Sequence, residues 1–106
     1  MVGEMTPQGE AQASYPRFDK LIFRQGRFYS EYLKAQGFSD SNYQLSSRPG
    51  GAFTWETMQR NTKEELLFWR AAVTKDAAMR GELTRTKPGG ASEQVSFFGA
   101  GYQREE

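Results

Sequence analysis

The chain contains neither cysteine nor histidine. The first absence excludes disulfides, thiolate-bound zinc and thiol nucleophiles. The second removes the commonest general base, imidazole metal ligation and the Ser-His-Asp triad. No cofactor is therefore expected, and no enzyme is expected either, because no convergent set of carboxylates, lysines or tyrosines replaces what is missing. Large net charge is also lacking. Fourteen basic residues stand against 13 acidic ones, a net of +1, which argues against polyanion binding driven by bulk charge but leaves room for a local basic patch. No apolar run approaches the roughly 20 residues of a membrane-spanning helix. Residues 1–14 carry Glu4 and Glu10, have no arginine and lack the apolar centre of a secretory signal, so a cytoplasmic or organelle interior is the expected location.

What is present is one small domain's worth of chain, 106 residues, rich in aromatics: eight Phe, five Tyr and two Trp. Leu66-Leu67-Phe68-Trp69 is its most apolar stretch. At about 100° per residue these four side chains, with Ala72, Val73 and Met79, surround a helix on all sides. Thr62-Lys63-Glu64-Glu65 before them has the form of a capping box. Pro16 to Gly37 reads as a first helix. Phe18, Leu21, Ile22, Phe28, Tyr29, Tyr32 and Leu33 gather on one side, and only Phe23 breaks the pattern. Gly37 is placed to end that helix in the left-handed conformation, with Phe38 folding back on Leu33.

The expected fold is mainly α. Two or three helices, about 16–36, 54–61 and 62–81, pack as a small helical hairpin within residues 16–83. A flexible or partner-bound arm, 1–15, precedes it, and a Gly-rich tail, 84–106, follows with an aromatic anchor at 95–102. Arg48-Pro49-Gly50-Gly51-Ala52 echoes Lys87-Pro88-Gly89-Gly90-Ala91, which reads as reused turn chemistry and not as a repeat.

A helix that is apolar on every side needs neighbours on every side, so the sequence points to other protein subunits as partners. The expected function is a non-catalytic accessory subunit of a larger assembly, with Leu66, Phe68, Trp69, Val73, Trp55, Phe97, Phe98 and Tyr102 as its partner-binding residues. The structural counter-reading is a free-standing hairpin whose arms, through Phe97-Phe98 and Tyr43, cover the second helix in cis. Arg17, Lys20, Arg24, Arg27 and Lys34 form a basic face on the first helix. A solvated face, contact with nucleic acid and contact with an anionic membrane surface all fit it. Aromatics that stack RNA bases are interleaved with basic residues on strands, and at helical spacing these are not. Glu64-Glu65 could hold a metal or do acid–base work, but acids at a helix start are more simply structural.

Overall fold

The computed structural model describes residues 2–7 and 15–99, and it is an antiparallel β-structure, not a helical hairpin. Nine strands run β1 (Val2–Pro7), β2 (Phe18–Arg24), β3 (Arg27–Ser30), β4 (Ser41–Asn42), β5 (Gln44–Ser47), β6 (Phe53–Arg60), β7 (Leu66–Val73), β8 (Met79–Thr86) and β9 (Ser92–Gly99). The one α-helix described, α1 (Glu31–Lys34), is a single turn. The sheet order is β4-β3-β2-β1-β9-β8-β7-β6-β5. The two ends of this order, β4 and β5, are separated only by Tyr43, so one kinked segment pairs with β3 through its first part and with β6 through its second. The sheet thereby wraps into a nearly closed up-and-down barrel, which removes most of its free edge.

Three expected helices are corrected here. Residues 16–36 form β2, a two-residue turn, β3 and α1. Gln25 and Gly26 both have positive φ, the primed-turn geometry that matches strand twist. Phe23, which spoiled the helical arc, faces inward on β2 in alternation with Asp19 and Leu21. Residues 54–60 belong to β6, and Asn61 opens the turn after it. Residues 62–81 are a turn, β7, a second turn and the start of β8. Leu66-Leu67-Phe68-Trp69 is apolar throughout, yet only the inner face of β7 is fully covered. Leu67 and Trp69 point into the barrel, while Leu66 and Phe68 lie half-buried on its outer wall. The arms are corrected as well: residues 2–7 are β1, and 92–99 are β9, which zips onto β1 from Gly3↔Gly99 to Pro7↔Val95. The Gly37 expectation holds on a much shorter helix. Gly37 has φ 95°, the Phe38 amide donates to the Leu33 carbonyl at 3.2 Å, and both apolar side chains are buried.

The four hairpin turns from β5 to β9 share one scheme at a spacing of 13 residues. Arg48, Asn61, Thr74 and Lys87 each donate their amide to the carbonyl four residues on, at 2.7–3.2 Å. The fourth residue of each turn is left-handed: Gly51, Glu64, Ala77 and Gly90. The Pro-Gly-Gly echo is thus the first and last of a regular series. Because each turn keeps the same parity, the inward positions of β6 to β9, from Trp55 to Phe97, all carry odd numbers.

Those positions fill the lumen. Trp55, Trp69, Phe23, Phe28 and Phe97 form one aromatic cluster with ring centroids 4.9–6.4 Å apart, capped by Leu33 and Phe38 at the mouth where α1 lies. Gly81 faces inward on β8. A Cβ there would strike the Arg70 carbonyl and come within 2.7 Å of the Phe97 ring, so its absence is what lets Phe97 lie flat against β7 and β8. Where ladder pairing lapses between β3–β4 and upper β6, side chains close the gap. The Thr57 hydroxyl donates to the Asn42 carbonyl. The Gln59 amide donates to the Ser39 carbonyl at 2.8 Å and its oxygen accepts the Trp69 indole N–H at 2.9 Å.

Candidate binding surfaces on the barrel wall

Beyond the Thr57 and Gln59 contacts, polar chemistry gathers in two further places inside the barrel, and both are structural. At the α1 mouth, Arg85 on β8 reaches Glu65 with two N–H groups at 3.0 and 3.2 Å and donates a third to Gln36 at 3.1 Å. Its guanidinium lies 5.3 Å from the Phe38 ring centroid. Asn61 donates at 2.8 Å to Oε1 of Glu65, the oxygen that also accepts one Arg85 N–H, and folds its own turn by accepting the Lys63 and Glu65 amides. The hydrogen bond from Arg85, then that from Asn61, holds the Glu65 carboxyl below the usual glutamate value. Burial pushes the Tyr15 hydroxyl up, against the pull of Arg85. The cluster ties the segments before β2, after α1, between β6 and β7, and on β8 into one clamp. The Glu64-Glu65 pair is split by it, since Glu64 points to solvent as a left-handed turn residue and Thr62–Glu65 is a hairpin turn and not a helix cap. Among the described residues no three acidic side chains converge as metal ligands.

The second place is Asp19. It is 5% exposed, accepts the Tyr32 amide at 3.1 Å and the Ser30 hydroxyl, and Ser30 in turn caps α1 by accepting the Leu33 amide at 3.2 Å. Burial raises its pKa above the ordinary 3.8, with the hydrogen bonds opposing. A carboxyl that holds its proton more tightly when folded contributes most below 3.8, and that contribution is lost as pH rises through the folded value. In an Asp19→Asn variant the side-chain amide can accept from the Tyr32 amide and donate to Ser30 without this pH dependence. Thermal melts should therefore show Asp19→Asn matching or exceeding the wild type at pH 7 and losing that advantage near pH 3.5. A variant that is clearly weaker at pH 7 would show that the carboxylate charge itself is needed.

The outer wall is where unsatisfied surface remains. An outward row crosses the ladder from Thr54 on β6 through Ala72, Arg80 and Phe98 to Glu4 on β1 and Phe18 on β2. A second row carries Glu56, Arg70, Glu82 and Ser96, where Arg70 lies 3.7 Å from Glu56 and Gln94 donates to Glu82 at 3.4 Å. Between the rows the small residues Ala72 and Gly81 leave an open groove of about 740 Å³ walled by Arg70, Arg80, Glu82 and Phe98. Phe98 is 48% exposed, and Arg80 opposite it has no partner among the described residues.

Of the residues expected to bind a partner, Trp55, Trp69, Val73 and Phe97 are in the core, and Leu66 and Phe68 are half-buried on the wall. Phe98 alone stands free, while Tyr102 lies outside the described residues. The helical-hairpin counter-reading is corrected too: there is no second helix to cover among the described residues, Phe97 packs on Trp69 at 5.5 Å as a residue of β9, and Phe98 is exposed. Arg17, Lys20, Arg24, Arg27 and Lys34 are all exposed, on β2, β3, α1 and their flanks, and not on one long helix. Arg80, Glu4 and Gln59 were missed. Only the strand register shows that Arg80 faces Phe98, and no motif marks it. Comparison with protein-family models, with curated proteins and with solved structures finds no match.

Proposed function

We propose that this chain is a non-catalytic accessory subunit that docks on a partner protein through the outer wall of β6–β9. Phe98 and Arg80 are its central anchors, and Trp69 serves the barrel interior. One observation carries this reading: the interior is packed with aromatics, whereas an exposed Phe beside an uncommitted Arg borders the groove outside. Aromatic and arginine side chains are the types that dominate interface energetics, and the small floor lets a partner's side chains approach the sheet. At the α1 mouth Arg85, Glu65, Asn61 and Gln36 are engaged with one another, which favours a scaffold over a catalytic cleft.

Two variants test it. Phe98→Ser and Arg80→Glu alter exposed positions, so the fold should keep its thermal midpoint within a few degrees. A photo-crosslinking residue at position 98 should trap a defined protein in native cells, and the trap should fail when Arg80→Glu is added. Equal trapping from a control position on the 74–78 turn, or trapping indifferent to Arg80→Glu, would overturn the reading.

A further inference from the structure

The basic residues singled out in the sequence acquire a geometry on the barrel that they lacked on a helix. Phe18, Lys20, Ile22 and Arg24 alternate on the outer face of β2. Arg27 and Tyr29 do so on β3, with Ile22 opposite Tyr29 and Arg24 opposite Arg27. Cations and aromatics are thus interleaved on two paired strands, the arrangement that surfaces stacking single-stranded bases require. Each outward aromatic already bears a cation. The Arg17 guanidinium lies 5.2 Å from the Phe18 centroid, and the Lys34 ammonium lies 4.0 Å from that of Tyr29. Phe18 is 52% exposed. Glu4 lies 3.7 Å from Arg17, and Arg27 donates to the Asp40 carboxylate at 3.3 Å, the Asp40 carbonyl at 2.8 Å and the Asn42 side chain at 3.1 Å, all solvent-exposed contacts of modest worth. Arg24 and Arg27 face each other directly across the hairpin, which places two cations side by side on this face.

We infer that the outer face of the β2–β3 hairpin binds single-stranded nucleic acid, with Phe18 and Tyr29 stacking bases and Lys20, Arg24 and Arg27 meeting phosphates. This surface adjoins the Phe98 groove, with only Glu4 on β1 between Phe18 and Phe98 in the outward row.

The test is fluorescence anisotropy of the full chain with a labelled 20-nucleotide oligo-dT and with oligo-U, from 50 to 200 mM salt. Three to five phosphate contacts predict a slope of about −2 to −3.5 in log K against log salt. Lys20→Glu with Arg24→Glu should weaken binding at 50 mM salt at least tenfold and flatten that slope. Phe18→Ala should weaken it about 5- to 150-fold while leaving the slope in place. Circular dichroism should show both variants folded. Three results would overturn the inference: no binding at 50 mM salt, binding insensitive to Phe18→Ala, or phosphatidylserine vesicles bound as tightly as the oligonucleotides and equally insensitive to Phe18.

Discussion

Replacing Trp69 by Ala should unfold this protein near physiological temperature. The indole is fully buried and lies 4.9 Å from Phe28, 5.5 Å from Phe97 and 6.4 Å from Trp55. Emptying such a site costs about 3–5 kcal/mol, since the lost contacts and the cavity add together. A further penalty of about 1–3 kcal/mol falls on Gln59, whose side-chain oxygen loses its indole donor inside the barrel. A domain of this size commands only about 5–15 kcal/mol in total. In urea the midpoint should drop by roughly 2–3 M or the cooperative transition should vanish. Trp69→Phe keeps much of the ring area, so it should fall between wild type and Trp69→Ala. A midpoint within about 0.5 M of wild type for Trp69→Ala would show that the lumen is not packed around this ring.

Breaking the clamp at the α1 mouth is the other large effect. The Arg85 and Glu65 side chains keep only 12% and 11% of their surface in water. Removing Glu65 strands a buried guanidinium, a change that costs about 3–5 kcal/mol when the pair is fully dry. The residual hydration places Glu65→Ala near about 3 kcal/mol, or roughly 12–24 °C in the thermal midpoint. The sign of the pH dependence follows from the depressed glutamate. Its folded pKa lies below the unfolded value, so the pair's contribution is fully present above 4.5 and is lost as pH falls through the folded pKa. The gap between wild type and Glu65→Ala should accordingly be widest at neutral pH and close in acid. Glu65→Leu with Arg85→Met should recover much of the loss, because neither charge is then stranded. A double variant as unstable as the single one would assign the effect to shape and not to charge.

The turns were more legible in the sequence than the strands between them. Pro49-Gly50, Gly37-Phe38 and the second Pro-Gly-Gly carry their chemistry locally. Glu64 and Ala77 adopt the same left-handed conformation without glycine, so two of the four spaced turns gave no signal. Strand alternation was hidden in two ways. Asp19, Ser30, Thr57 and Gln59 are polar yet point inward, where hydrogen bonds satisfy them, and Phe18, Met58 and Phe98 are apolar yet exposed. β7 is apolar on both faces, and a short run of that kind cannot be told from a buried helix by periodicity. The aromatic clustering around Trp69 was legible, but the surface hiding it came from this chain's own strands. The basic residues were recognised, and their alternation with Phe18 and Tyr29 on strands became visible only with the β2–β3 register.

The pairing of β1 with β9 has a consequence for how the molecule assembles. From β5 onward every ladder joins sequence neighbours through a short turn, so those contacts cost little chain entropy and can propagate one after another. Joining Gly3 to Gly99 instead closes a loop across almost the whole polypeptide. The kinetic barrier therefore concentrates at that single zipper, and until it closes both flanking strands present bare edges to any neighbouring molecule.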